Sequence, residues 1–318
     1  MKRIAKWTAA ILILIVLPVS CRAAEMLVPV GRIIGLQLKS EAVTVAAFDD
    51  VLGREAKDAG LRIGDQILSV NGFPIREAED VAEALEGRTS VAVTVRRGSK
   101  ETTMEIPLQT TADGKRLGVY LRQGIGGIGT ITWYDPETGK FGTLGHGVSD
   151  SSGALLRMTG GSAYDAFVES VKKGKAGAPG QLRGCADSAC GELLRNTPQG
   201  VFGRTSQSWE GAPIPVAAYE EITPGQATIR ATVQAGEPQD YSVEILKIYP
   251  RDRGDGRNLL LKVTDPRLLE ATGGIVQGMS GSPILQDGKL IGAVTHVLVN
   301  DPTAGYGIFI ENMLDAVG

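Results

Sequence analysis

Ala59-Gly60-Leu61-Arg62-Ile63-Gly64-Asp65-Gln66-Ile67-Leu68-Ser69-Val70-Asn71-Gly72 is the stretch on which the reading of the fold turns. It begins with a short glycine turn, runs through a strand of alternating apolar positions and ends on Asn-Gly, a dipeptide that readily takes the positive φ angles of a tight turn. Downstream, Val81 and Leu85 stand four apart within Glu77 to Leu85, as on one face of a helix, and alternation resumes from Ser90 to Arg96. Upstream, Val28 to Leu38 and Ala42 to Phe48 read as two further strands. Together these segments predict a small α+β unit.

The chain of 318 residues is long enough for two compact cores. Its 42 glycines, with few aromatics and frequent Val, Ile and Thr, predict many short strands joined by tight turns, because glycine supplies the positive φ that such turns need. A formal net charge of -3, with basic residues scattered, leaves no stripe for a phosphate backbone and argues against a nucleic-acid partner. The polar stretch Thr110-Thr111-Ala112-Asp113-Gly114-Lys115 reads as a boundary, dividing residues 26–109 from a second unit at 110–318. In that second unit Ala227 to Val233, Tyr241 to Ile248, Leu259 to Val263 and Leu290 to Val299 alternate with glycine turns, which predicts a β-barrel or sandwich. Gly124-Ile125-Gly126-Gly127-Ile128-Gly129 has the spacing of a dinucleotide loop, but paired strands at Thr130 to Tyr134 and Lys140 to Leu144 follow it, with no helix N-terminus to hold a pyrophosphate.

At the N-terminus Lys2, Arg3 and Lys6 precede an apolar run from Trp7 to Cys21, followed by Arg22, Ala23 and Ala24. This is the plan of an export signal over residues 1–25, or of a short membrane anchor, and either places the remainder outside the cytoplasm. Cys21 adds a weaker lipidation reading. Cys185 and Cys190 lie in a turn-like Gly-Cys-Ala-Asp-Ser-Ala-Cys-Gly, where a small disulfide loop and two unpaired thiols are equally compatible with the spacing.

A serine attacks a peptide carbonyl only when a base takes its proton and nearby amides hold the oxyanion. Gly278-Met279-Ser280-Gly281-Ser282-Pro283 allows a sharp turn with Ser280 as nucleophile and the Gly278 and Ser280 amides as the oxyanion hole. Of the two histidines, His146 follows a strand and sits between glycines, where a side chain projects readily; His296 lies inside an apolar strand, the usual place of a structural histidine. His146 is the preferred base, with His296 left open. Asp150, Asp265 and Asp301 all lie near these loops in sequence, and spacing does not choose the acid among them.

The 59–72 stretch resembles the signature of PDZ domains, which add an extended peptide or free C-terminus to a sheet edge. That resemblance implies a groove formed by Ile34, Gly35 and Leu36 beside the helix that carries Val81. From about Gly118 onward, and most densely through Val263-Thr264-Asp265-Pro266-Arg267-Leu268-Leu269 and Gly273-Gly274-Ile275-Val276-Gln277-Gly278-Met279-Ser280-Gly281-Ser282-Pro283-Ile284, the chain resembles the SpoIVB peptidase family. The match continues through Gly292-Ala293-Val294-Thr295-His296-Val297. The resemblance implies a β-rich fold, with a PDZ domain preceding a chymotrypsin-like serine peptidase domain, and a triad of His146, Asp265 and Ser280 that needs no metal or organic cofactor. It further implies a sporulation role between the forespore and mother-cell membranes: regulatory cleavage of a membrane-anchored regulator of pro-sigma-K processing, with self-processing as a related activity. The rival readings are a non-catalytic PDZ adaptor with a degenerate protease domain, and a general envelope quality-control protease.

Overall fold

Two strands of 16 residues, Ile33–Phe48 and Val119–Tyr134, organise the molecule. In the computed structural model, which describes residues 25–112, 114–150 and 153–317, they run antiparallel: Ile33 to Leu38 faces Thr130 to Ile125, and Val43 to Phe48 faces Gln123 to Val119. Between these two paired lengths the register shifts. Gly124 sits at the shift with φ +114°, and a Cβ there would lie 1.9 Å from the Leu38 carbonyl oxygen, so close approach of the two backbones demands glycine. The expected export segment lies outside the described residues except for Glu25. No helix among those described is long and apolar enough to cross a membrane.

Each long strand serves two units. At one end they join Met158–Lys172, Gln181–Thr197, Gly200–Arg204 and Lys140–Thr143 in a circuit of hydrogen-bonded strands that returns to Val119–Tyr134, closing a first barrel. Its interior holds Ile34, Leu36, Ile131, Phe141 and Leu193. At the other end Val43 and Thr44 pair with Gln66–Val70, which continues through Ser90–Arg97 to Lys100–Pro107. Helix Ala78–Leu85 lays Val81 and Leu85 over this small sheet, against Val43, Val70 and Val93. Each such buried side chain contributes about 1.5–3 kcal/mol.

The signature stretch forms as its residues dictate. Gln66–Val70 is a strand, and Asn71 and Gly72 take φ of 52° and 79° in the turn after it. Asp65 is 1% exposed; its carboxylate accepts from Nε and Nη2 of Arg97, each at 2.6 Å, and from the Arg62 amide at 2.9 Å. That ties the turn before the strand to the strand beyond the helix.

A single cut at residues 109/110 does not describe this hydrogen bonding. Met26–Pro29 pairs with Trp133 and Tyr134 and with Ile214 and Pro215, and Ile33–Leu38 closes the first barrel, so the small unit is inserted between two barrel strands. Alternating apolar residues fit either sheet equally, and only the distant partner strands decide which one they join. At the polar stretch read as a boundary, Gln109–Thr111 pairs with Gly114–Arg116.

The four strands expected downstream are joined by Pro283–Gln286 and Asp301–Phe309 in a second closed barrel, in the order Gly225–Ala231, Gln239–Ile248, Leu259–Val263, Asp301–Phe309, Lys289–Leu298 and Pro283–Gln286. Ile229, Val243, Leu261, Ile284 and Val294 fill it. With strand at 55% and helix at 10%, the molecule is the β-rich protein expected. Gly124 to Gly129 lies inside a strand, with no helix after it. Cys185 and Cys190 are both free, and the turn expected around them is part of strand Gln181–Thr197. Five residues of strand span roughly 16 Å, far beyond disulfide reach.

Candidate active site

Ser280 stands where the two barrels meet. The turn that carries it is pinned from the first barrel: the Thr130 amide donates to the Ser280 carbonyl at 2.9 Å, Thr130 Oγ1 to the Gly278 carbonyl at 2.8 Å, and Thr132 Oγ1 to the Gly281 carbonyl at 2.8 Å. From its own barrel the Gly281 amide donates to Val294 at 2.7 Å. Gly281 has φ +96°, and a Cβ would fall 2.0 Å from the Thr130 carbonyl, so this turn cannot close on the first barrel with any larger residue. Among the described residues the amides of Gly278 and Ser280 have no protein acceptor, while Met279, Gly281 and Ser282 all donate. The two amides expected to form an oxyanion hole are the ones left free.

His146 reaches the same cavity through two successive left-handed residues, Leu144 at φ 70° and Gly145 at φ 68°. Gly145 packs so tightly on Thr295 and Ile308 that a Cβ would meet them at 2.9 and 3.0 Å. The backbone is thereby turned sharply at the end of strand Lys140–Thr143, a cost tolerated where the surrounding packing over-determines it. His146 Nδ1 lies 2.9 Å from the Gly147 carbonyl. A carbonyl only accepts, so Nδ1 carries the proton and Nε2 keeps the lone pair that a base requires. Burial lowers the His146 pKa from its ordinary 6.5, opposed by this hydrogen bond, so the ring is held neutral at pH 7.

His296, left open by the sequence, also faces the cavity, with its ring centroid 5.2 Å from that of His146. Its Nδ1 is buried and has no protein partner, unlike the hydrogen-bonded structural histidine expected in that strand. Burial, then the neighbouring His146, hold its pKa down at about 4. The cavity has a volume of about 400 Å³ and contains Ser280, His146, His296 and Gly278 on its walls. Ser280 Oγ donates to the Thr295 carbonyl at 2.9 Å, so transfer of its proton to His146 requires the hydroxyl to swing away from that carbonyl.

Asp265 is not in this cavity. It is the N-cap of helix Pro266–Thr272, accepting from the Arg267 amide at 2.9 Å and the Ser242 amide at 3.2 Å, and from Arg267 Nε and Nη2 at 3.1 and 2.8 Å. The Arg267 guanidinium holds its pKa down at about 2. An aspartate before proline is well suited to start a helix, and its acceptor capacity is spent there. Asp301 likewise turns to its own loop, accepting from Thr303, and Asp150 accepts from the Ala154 amide. None of the three acids lines the wall shared by Ser280 and His146. The atom that orients the His146 ring is the Gly147 carbonyl, which no residue-type search for an acid could reveal.

The expected peptide groove also moves. Ile34, Gly35 and Leu36 lie within the first barrel, paired with Gly129, Ile128 and Gly127 on one side and Asp165, Tyr164 and Ala163 on the other, so they offer no free edge. Val81 does line a groove, of about 460 Å³, and its other wall is Gly118, Val119, Tyr120 and Leu121. Val119 to Gln123 pairs only with Val43 to Phe48 among the described strands, leaving its helix-side edge open. Lys115 and Arg116 sit at this groove. The local signal was Gly118, at φ +73° with a Cβ position 2.1 Å from the Leu52 carbonyl, a glycine required at the entry to a strand.

Comparison with known proteins follows the same division. The family model described as SpoIVB peptidase S55 matches residues 113–314, and a PDZ domain model matches residues 56–97. A Rhizobium meliloti (strain 1021) protein named as a candidate zinc metalloprotease, R01501, is 31% identical over 133 residues, 39% of this chain; the chain spans about a third, 34%, of that relative's length. Among the described residues no group of three or more His, Cys, Asp or Glu side chains is gathered as for a metal ion. Similar solved structures include the PDZ domain of the SdrC-like protein from Listeria monocytogenes, 20% identical, TM-score 0.23, covering 26% of this chain and 90% of that one. The inactive Rv3671c protease of M. tuberculosis H37Rv as a Ser343Ala mutant is 13% identical, TM-score 0.34, covering 60% and 80%. The HtrA-type protease AlgWS227A with a decapeptide is 12% identical, TM-score 0.40, covering 90% and 62%.

Proposed function

The chain belongs to the SpoIVB peptidase S55 family and is a PDZ-containing serine peptidase, and from that premise we propose that it is an exported endopeptidase making regulatory cuts in a membrane-anchored protein during sporulation. The observation that carries the chemistry is the shared cavity: Ser280, the neutral His146 and two undonated amides meet on one wall. His146 Nε2 takes the Ser280 proton as Oγ attacks the substrate carbonyl, and the Gly278 and Ser280 amides hold the oxyanion. The same imidazole then protonates the leaving amine and activates the water that frees the acyl-enzyme. In this geometry the Gly147 carbonyl supplies the orientation that a carboxylate gives in the better-known triads. Export and the sporulation role rest on the N-terminal sequence pattern and on family membership. The membrane-anchored regulator of pro-sigma-K processing is the substrate proposed on that ground, and the open groove at Val81 and Val119–Leu121 is the proposed seat of its peptide segment or C-terminus.

The test is co-expression of the full chain, or of Ser280→Ala, with that regulator in membranes. One or a few discrete cuts that vanish in Ser280→Ala are expected. Equal processing by both proteins would make the chain an adaptor, and broad loss of unfolded envelope proteins would make it a quality-control protease.

A further inference from the structure

The segment Gly124-Ile125-Gly126-Gly127-Ile128-Gly129 has a use in this fold that is not nucleotide binding. It crosses the catalytic cavity, and its glycines are not equivalent. A Cβ at Gly124 would strike the Leu38 carbonyl at 1.9 Å, one at Gly129 would meet Leu144 Cδ2 at 2.2 Å, and one at Gly126 would meet Gln37 Oε1 at 2.9 Å. Gly127 alone of the four has nothing within 4 Å of that position, and its φ lies outside the left-handed region. No packing or backbone demand therefore calls for glycine at 127. Gly127 lies directly opposite Leu36 in the sheet, and paired residues of an antiparallel sheet project to the same face. Leu36, Ile125 and Gly127 all line the cavity. The missing side chain leaves space inside the site.

The remainder of the wall sets the chemistry of what fits. Leu38, Ile128, Val276 and Val297 make it largely apolar, and none of its described residues is Lys, Arg, Asp or Glu. Both histidines are held neutral at pH 7 by burial. A charged side chain entering here would give up its hydration for no opposite charge. Gly278 and Ser280, whose amides the proposed mechanism assigns to the oxyanion, are part of the same wall, which puts this space beside the residue whose carbonyl is attacked.

We propose, resting on the peptidase reading above, that this cavity seats a large uncharged apolar side chain on the residue whose carbonyl Ser280 attacks, and that Gly127 sets its permitted size. The full chain digests denatured casein, and the cut sites are mapped by mass spectrometry against a Ser280→Ala blank. Cuts after Leu, Ile, Val or Met are expected, with Lys, Arg, Asp and Glu disfavoured by about 100-fold or more in kcat/KM on matched decapeptides. Gly127→Leu, whose Cβ enters open space on the cavity wall, is expected to lower the Leu-to-Ala preference at least about 10-fold, with Gly127→Ala between the two. Equal cutting after Lys or Asp, or an unchanged pattern in Gly127→Leu, overturns the proposal. If no Ser280-dependent cutting occurs, the peptidase reading fails separately, and calorimetry of the same decapeptides on Ser280→Ala decides the pocket. Binding of the Leu peptide that Gly127→Leu abolishes supports it; equal binding of Leu, Lys and Asp peptides overturns it.

Discussion

Asp265 shows how one residue can satisfy a sequence pattern and yet do local work. With its carboxylate spent on Arg267 and the helix start, Asp265→Asn is expected to cost roughly 1–2 kcal/mol at pH 7 while leaving kcat within a few-fold of wild type. A catalytic acid would instead lose about 10⁴-fold in kcat. The sign of the stability effect is fixed by a folded pKa of about 2 against an ordinary 3.8: the contribution is complete above 3.8 and lost as pH falls through 2. Denaturant unfolding of both proteins from pH 7 to pH 2 should therefore converge at the acid end. His146 makes the opposite kind of residue-scale prediction, because the proposed mechanism requires its neutral form. Burial lowers its pKa, so kcat/KM on a short peptide should hold steady below pH 6.5 and fall only in more acidic buffer; a midpoint above 6.5 would contradict the buried, Gly147-bonded ring. That Ser280 and His146 were candidates could be read from the sequence, because a glycine-flanked serine turn and a scarce histidine are local signals; the structure places both on one cavity. The Gly147 carbonyl could not be read there, since backbone atoms carry no residue identity.

At the scale of the element, the two 16-residue strands carry most of what was missed. Ile33–Phe48 exchanges Met158–Lys172 for Gln66–Val70 on one edge midway, while on the other it stays with Val119–Tyr134 across the register shift where Gly124 lets the backbones come close. Gly124→Val is expected to lower stability by more than about 2 kcal/mol, read as a fall in the denaturant midpoint, because it sets a branched side chain at positive φ against a carbonyl. Gly127→Val, three residues along the same strand, should change stability little, because it meets open space. Helix Ala78–Leu85 and strand Ser90–Arg97 lie almost where the sequence placed them, since neither relies on a distant partner for its pattern. The groove strand was misassigned for the converse reason: Val119–Leu121 follows the helix in sequence yet lies beside it in space.

For the whole molecule, the small unit is an insertion, and no described residue between 49 and 118 lines the cavity shared by Ser280 and His146. Phe48 and Val119 are paired neighbours, so residues 49–118 should be replaceable by an Asn-Gly turn. The shortened chain is expected to fold and to retain Ser280-dependent cleavage of a short peptide; loss of that cleavage in a folded product would make the inserted unit part of the active machinery. Cutting out residues 26–105 would instead destroy the first barrel, which takes Ile33–Leu38 as a wall. By itself the sequence determined the β-rich class and the PDZ-like unit, and it proposed Ser280, His146 and the Gly278 and Ser280 amides, which the structure places on one cavity. These are set by periodicity, turn chemistry and short motifs, all of which act over a few neighbouring residues. Tertiary structure alone decided which barrel owns the first strands, that Asp265 caps a helix, that His296 faces His146, and that Gly127 opens the cavity. Each depends on a hydrogen bond or a packing contact between residues far apart in the chain, where register and shape choose among partners of equal local propensity.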